Sequence, residues 1–381
     1  MARSRVPDGL ELVLLLAGGA ARRSQLHART RALLARADLD RLARDLADRR
    51  LLPLIGSRVL EAGDDLLPDS FRHAVRSAVA AARAQNLAVE WATRQIAGWL
   101  AADGIRALAL KGPLLAEEAH GDLGLRHTAD VDLLVAPADL DAAARTLVAH
   151  GFSEPTDVRR ANGLPDLHLV LDHSGLPEVE LHWRVHWDEQ AFSADMLARA
   201  APGPDGLLRA APADLAASLL LFYARDGFHG LRVAADLAAW WDRHGHELPA
   251  TFLEGHAERY PEIAPALSAA ARVAERFVGV PATAWLGRRA VDGRRVALAT
   301  RLADWAQHGE KDQLWANISL VGGLLGPRRS APDFVRRELL SYGEGPAARA
   351  THLARRCARY ALALWSVRGD RAWAPLPRGV N

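Results

Sequence analysis

The chain holds one cysteine, Cys357, in 381 residues. A single thiol excludes an internal disulfide framework and any metal cluster built on several cysteines, and it fits a reducing cytoplasm. In its helical context that thiol reads as inert packing. Lysine is nearly absent too: Lys111 and Lys311 are the only two, so 46 of the 48 basic residues are arginine. Excess charge of either sign is missing, since 46 acidic residues leave a formal net charge of +2. That balance argues against polyanion binding driven by bulk electrostatics, although a sequence pI of about 9.0 leaves room for a local basic patch. Nucleic acid is therefore not indicated as a partner. The apolar run Leu10 to Ala21 is broken by Glu11 and is too short to span a bilayer. Pro7 and Asp8 separate it from Arg3 and Arg5, against a secretory signal, so it reads as a buried helix in a protein without a membrane span.

What is present is apolar surface and helical period. Hydrophobic residues make up 50% of the chain, enough for two or three structural units with real cores. From Gly9 to about Leu100 apolar residues recur at helical spacing, as in Leu39, Leu42 and Leu46, with breaks at Pro53 and between Gly63 and Pro68. Phe71 to Ala102 is one long helix by this reading, and Asp103-Gly104 ends it. Ile105 to Leu110 is then a strand, Lys111-Gly112-Pro113 a glycine turn, and Leu114 to His120 a helix. Arg126 to Val135 is a second strand. Ala138 to His150 is the next helix, with Pro137 near its start and Gly151 past its end. Leu167 to Leu171 and Val179 to Val185 alternate as a β-hairpin. From about Ala191 the pattern is helical again: Asp214–Arg225, Leu231–His244, Glu262–Val278, Val296–His308, Phe334–Tyr342 and Ala347–Val367. The tail from Gly369 reads as irregular. The expectation is an α+β protein with a small mixed sheet at 103–190, between an amino-terminal helical region, 1–102, and a carboxy-terminal helical region, 191–381.

The chemistry concentrates in two strands. Within Arg126 to Val135, Asp130 and Asp132 share one face while Val131, Leu133 and Val135 take the other. Two carboxylates roughly 7 Å apart repel unless a cation lies between them. In Val179 to His186 the apolar Val179, Leu181, Trp183 and Val185 alternate with Glu180, His182, Arg184 and His186. If the strands are neighbours, Glu180 is a third carboxylate beside Asp130 and Asp132. Three carboxylates on one patch of sheet suit two Mg²⁺ ions, which prefer carboxylate and phosphate oxygens, and such a site asks for a nucleoside triphosphate.

Leu-Lys-Gly at 110–112, Arg126 with Asp130-Val-Asp132-Leu-Leu-Val, the helix closing on Gly151-Phe152, and Val179-Glu-Leu-His-Trp183 together resemble the polymerase-β-like nucleotidyltransferase superfamily. The likeness is specifically to its bacterial "uncharacterised nucleotidyltransferase" branch, with weaker similarity over most of the chain, including the helices from Asp214 to Trp241. The resemblance implies that Asp130, Asp132 and Glu180 bind two divalent ions and carry catalysis. It also implies that the glycine turn at Lys111 and Gly112 approaches the triphosphate, with ATP the expected one. A nucleoside monophosphate then passes to a hydroxyl or phosphate of a small-molecule, peptide or protein acceptor, with pyrophosphate leaving. At the glycine turn the chain departs from the superfamily's usual Gly-Ser or Gly-Gly, because Pro113 offers neither a hydroxyl nor a backbone donor. Lys111 compensates as a point charge on the phosphates, or is an ordinary solvated lysine.

Other roles stay open in the sequence. Arg126 either reaches a phosphate or pairs with Asp130. His182 either hydrogen-bonds its neighbouring acid and orients it, or helps to hold the cofactor. His168 faces the same patch or solvent, and Trp183 packs in the core. Asp226, His229, Arg232 and Asp236 form a polar helix face by default. Because of Pro113, a catalytically inactive nucleotide-binding or protein-interaction module of the same fold is the alternative function. A metal-dependent phosphohydrolase is a third.

Overall fold

A computed structural model describes residues 8–155, 163–165, 167–187, 189, 191–229, 231–289, 293–306, 318 and 321–326. The helices expected at Phe334–Tyr342 and Ala347–Val367, the tail from Gly369, Lys311 and Cys357 lie outside the described residues. Helices α1 (Asp8–Ala17), α2 (Ala20–Gln25), α3 (His27–Leu34), α4 (Leu39–Asp48) and α5 (Ser57–Gly63) lead into α6 (Asp69–Ala102), a single helix of 34 residues. α1 is the buried helix that its apolar run predicts, with Leu12 to Ala17 all in the core. α4 starts where the Asp38 carboxylate accepts the Arg41 N–H at 2.9 Å, an N-cap that satisfies one of the helix's orphan donors. α6 stops at Asp103-Gly104, where Gly104 takes φ +75°.

Six strands follow: β1 (Ala107–Ala109), β2 (Val131–Val135), β3 (His168–Leu171), β4 (Val179–His182), β5 (Ala201–Pro202) and β6 (Leu208–Arg209). They form one mixed sheet in the order β3-β4-β2-β1-β6-β5. β3 and β4 are the expected antiparallel hairpin, β1 and β2 are antiparallel, and β2 and β4 are parallel. Between strands run α7 (Gly112–Leu115), which continues as a wider turn over Ala116–His120, and α8 (Leu140–Ala149). The remaining helices are α9 (Phe192–Arg199), α10 (Pro212–Arg225), α11 (Arg232–His244), α12 (Phe252–Arg259), α13 (Ala264–Val278) and α14 (Arg294–Ala306). The α+β class with flanking helices is as expected. Among the described residues no helix is long and apolar enough to cross a membrane.

Three expectations about strands need correction. β2 begins at Val131 rather than Arg126, because the Asn86 side chain of α6 takes the Leu123 and Arg126 carbonyls, and ladder pairing starts with Val131 N–H donating to Glu178 O. β4 ends at His182 rather than beyond Val185. There the buried Glu189 carboxylate accepts the N–H groups of Val185, His186 and Ser193 and pulls the chain out of the ladder. Arg184 and His186 are therefore buried outside the sheet and do not share a face with Glu180; Arg184 stacks over Trp183 at 4.4 Å. Finally, β5 and β6 occupy a stretch read as helical. They flank Gly203-Pro204-Asp205-Gly206, with Gly206 at φ +81° and the Asp205 carboxylate accepting the Leu207 N–H at 3.2 Å, and β6 pairs Leu208 with Leu108 of β1.

The sheet's two faces differ in kind. Val131, Leu133 and Val135 of β2, with Leu169, Leu171, Val179 and Leu181, pack on Val89, Ala92, Ile96 and Leu100 of α6 and on Leu140 and Leu147 of α8. Each valine, leucine or isoleucine among them contributes roughly 1.5–3 kcal/mol on burial. On the opposite face Leu108, Leu110 and Leu134 join a larger cluster shared by the amino-terminal helices and by α10, α11 and α13. The polar residues of β2 and β4 are on this second face.

Candidate active site

Parallel pairing sets Asp132 opposite Glu180 and Leu134 opposite His182, so alternation brings all three polar side chains to one face. Asp132 is buried, and its Oδ1 receives Lys111 Nζ at 3.1 Å and His182 Nε2 at 3.0 Å. The same His182 nitrogen lies 3.0 Å from Glu180 Oε2, so one fully buried imidazole bridges the two acids. β3 adds His168, paired in register with His182; the rings meet edge-on with centroids 4.7 Å apart, and His168 Nδ1 lies 3.8 Å from Glu180 Oε2. His168 thus faces the acidic patch.

Electrostatics follow from this crowding. Burial pushes the Asp132 carboxyl up, but the Lys111 charge and the His182 hydrogen bond outweigh it and hold the acid well below the ordinary range. Glu180 is also lowered: burial raises it, yet the hydrogen bond from His182 prevails. Burial, reinforced by the His182 charge, lowers His168 to about 4, so at neutral pH its ring offers a lone pair.

Backbone geometry explains the Lys-Gly-Pro turn. Gly112 sits at φ +73°, which favours glycine, and Pro113 opens α7 where no N–H donor is needed. Lys111, just before α7, reaches over the Phe222 ring of α10 at 4.6 Å, and the Arg225 guanidinium stacks on the same ring at 4.7 Å. Asp130, half-buried, lines one pocket with Asp132, Lys111, Gly112, Glu90 and Thr93. Of the residues singled out in the sequence, Asp130, Asp132, Lys111 and Gly112 thus meet in one pocket, and Glu180 and His182 adjoin it through Asp132.

Arg126 is elsewhere. Its Nε donates to Asp236 of α11 at 2.9 Å, and its Nη1 donates to Thr128 Oγ1 at 3.0 Å and to the Gly112 carbonyl at 3.5 Å. His120 Nε2 completes the group at 2.9 Å from Asp236. The pairing of Arg126 with Asp130 is therefore replaced by one with Asp236, because α11 packs against the turn over Ala116–His120. Trp183 is half-buried against the sheet's apolar core and donates its indole N–H to Pro165 O, in keeping with core packing.

Glu90, Thr93, Phe222, Arg225 and His120 are the residues that sequence reasoning missed, and Asp236, read there as part of a polar helix face, is instead buried and paired with Arg126 and His120. Glu90 and Thr93 look like any polar positions on a long helix, and Arg225 like any helix-terminal arginine. Asp236 alone gave a signal, as an acid within an otherwise apolar stretch, Val233 to Trp241.

The donor chemistry suits divalent cations. Asp130, Asp132 and Glu180 supply hard oxygens, and His168 Nδ1 is a buried nitrogen beside Glu180 without a hydrogen-bond partner. His168, Glu180 and His182 offer ligand atoms all within 4.8 Å of one another. No curated protein matches the chain. Residues 35–279, a span that holds the whole sheet and every residue of the pocket, match the model of a family described as uncharacterised nucleotidyltransferase. The chain belongs to that uncharacterised nucleotidyltransferase family, whose class of activity is nucleotidyl transfer from a nucleoside triphosphate.

Proposed function

We propose that this chain is a Mg²⁺-dependent nucleotidyltransferase that moves a nucleoside monophosphate from ATP onto a hydroxyl or phosphate oxygen of a small-molecule, peptide or protein acceptor. The observation that carries the reading is the register of β2 and β4, which sets Asp132 beside Glu180 on the face that Lys111 also reaches. In this reading Asp130, Asp132 and Glu180 hold two Mg²⁺ ions, which neutralise the triphosphate and favour the ionised acceptor oxygen.

The protein's own groups do the positioning. Lys111, whose ammonium rests over the Phe222 ring, leaves Asp132 and pairs with phosphate as a point charge. Arg225 faces the same ring and adds a second cation, its Nη1 being buried without a hydrogen bond. Arg126, tied to Asp236, holds the Gly112 carbonyl from behind and fixes the turn that the triphosphate approaches. His182 keeps Asp132 and Glu180 together. Residues 103–190 then form the catalytic core, and the regions 1–102 and 191–381 supply acceptor recognition in a reducing cytoplasm.

Incubation with α-labelled ATP, Mg²⁺ and an acceptor library tests the reading. Label transfer with pyrophosphate release is expected, and an Asp130→Asn/Asp132→Asn double variant that transfers equally well sinks the assignment. The alternative, a catalytically inactive nucleotide-binding or protein-interaction module, is favoured by Pro113, which removes one backbone donor from the turn. Nucleotide binding without pyrophosphate release in that screen selects it.

A further inference from the structure

We propose that His168, Glu180 and His182 form a site for a borderline divalent cation of the Zn²⁺ class, distinct in donor chemistry from the all-oxygen pocket at Asp130 and Asp132. The inference deepens the transfer reading at Glu180 and rests on it for the presence of a cation there. It assigns that position a different kind of ion.

Three observations carry it. Two imidazoles and one carboxylate converge, and such a nitrogen-rich set suits Zn²⁺ and its neighbours, whereas Mg²⁺ selects oxygen. The spacing also fits: Glu180 Oε2 is 3.0 Å from His182 Nε2 and 3.8 Å from His168 Nδ1. A cation about 2.1 Å from each donor holds neighbouring donors roughly 3–4 Å apart. The third is an orphan. His168 Nδ1 is buried and finds no hydrogen-bond partner, although it faces the carboxylate. A buried nitrogen left in that state is destabilising unless something bonds to it.

The His182 ring permits the assignment. Its Nδ1 has no hydrogen-bond partner, so nothing at that end of the ring fixes the tautomer. With a cation present the proton belongs on Nδ1, and the Nε2 lone pair is free to bind. Asp132 Oδ1, 3.0 Å from the same Nε2, stands ready as a further oxygen donor while remaining paired with Lys111. The hairpin delivers this set because His168 and His182 are register partners on adjacent strands, while Glu180 lies two residues before His182 on the same face.

Co²⁺ is the probe. The full chain, stripped with a chelator and free of nucleotide, is titrated with Co²⁺ and followed by visible d–d absorption. One saturable spectrum is expected, displaced by stoichiometric Zn²⁺ but not by a large excess of Mg²⁺. His168→Gln weakens Co²⁺ binding about tenfold or more, while Asp130→Asn, which the transfer reading disables, leaves it unchanged. X-ray absorption of the Zn²⁺-loaded wild type then shows two imidazoles among nitrogen and oxygen donors, a readout independent of whether a variant folds. Absence of a Co²⁺ spectrum, equal displacement by Mg²⁺, or a Zn²⁺ shell without imidazole overturns the proposal. Failure of transfer with the Co²⁺ site intact overturns the transfer reading alone.

Discussion

Asp236→Asn removes one charge from a buried network and leaves its volume almost unchanged. Arg126 is 5% exposed and Asp236 1%, and the pair is joined at 2.9 Å with His120 on the second carboxylate oxygen. Removing one partner of a buried ion pair costs about 3–5 kcal/mol, because the surviving charge stays buried without compensation. Asparagine keeps one carbonyl acceptor, so the lower end, about 3 kcal/mol, is the expected loss. With 381 residues and an unfolding entropy of about 2.1 cal/mol/K per residue, that is a fall of roughly 4 °C in Tm by differential scanning calorimetry. Replacing both charges, in Arg126→Met/Asp236→Leu, recovers most of the loss, since two apolar groups leave no orphaned charge. The pH profile carries the same signature. Burial alone raises the Asp236 carboxyl, but the Arg126 charge and the His120 hydrogen bond more than reverse it and hold it far below the usual range. A depressed folded-state pKa means that the contribution is present above the unfolded value of about 3.9 and is lost as pH falls below it. The wild type therefore loses stability more steeply on acidification than Asp236→Asn does. A variant within about 1 °C of wild type, or a double variant worse than the two single losses combined, refutes the reasoning.

Other perturbations separate the roles around the pocket. Lys111→Met removes a charge-assisted contact of about 1.5–3 kcal/mol and weakens ATP binding by roughly one to two orders of magnitude in calorimetric titration; unchanged affinity means that Lys111 serves Asp132 alone. Gly112→Ala puts a side chain at φ +73°, with the new Cβ in ordinary contact with Thr128 Cγ2 at 3.6 Å, so backbone strain of about 1–2 kcal/mol is the whole effect; chemical denaturation with an unshifted midpoint contradicts it. Arg225→Ala lowers ATP affinity about tenfold in the same titration while Tm moves little, and a large drop in Tm with normal affinity assigns the residue to the core instead. Leu133→Ala, in the middle of the sheet's apolar face, opens a cavity and costs about 2–5 kcal/mol by urea titration; a loss under 1 kcal/mol shows that α6 and α8 close over the gap.

Period and turn chemistry made much of the architecture legible. The helical spacing from Phe71 to Ala102 and the Asp103-Gly104 stop specify α6 almost to the residue, and alternation in Val179-Glu-Leu-His specifies which side chains of β4 turn away from the core. Two strand ends were not legible, because distant side chains set them: Asn86 captures the backbone before β2, and Glu189 captures the backbone after β4. Local pattern carries no trace of either. β5 and β6 were readable in principle from Pro204-Asp205-Gly206, but strands of two residues leave no alternation to detect. At the site, the acids and Lys111 stood out through their own chemistry. Arg225 and Glu90 gained significance only from what folding set beside them.

The division of the apolar core gives α6 a mechanical character. Phe71 and Val75, near its start, are embedded in the larger cluster, whereas Val89, Ala92, Ile96 and Leu100 belong to the sheet's own cluster. At about 1.5 Å per residue the helix is roughly 50 Å long, long enough to be anchored in both clusters. Asn86 sits where it passes from one cluster to the other, and Glu90 and Thr93, within the next two turns, line the pocket. The part of the pocket wall that Glu90 and Thr93 supply is thus positioned by the packing of both clusters at once, and a cavity opened at either end of α6 bears on the site.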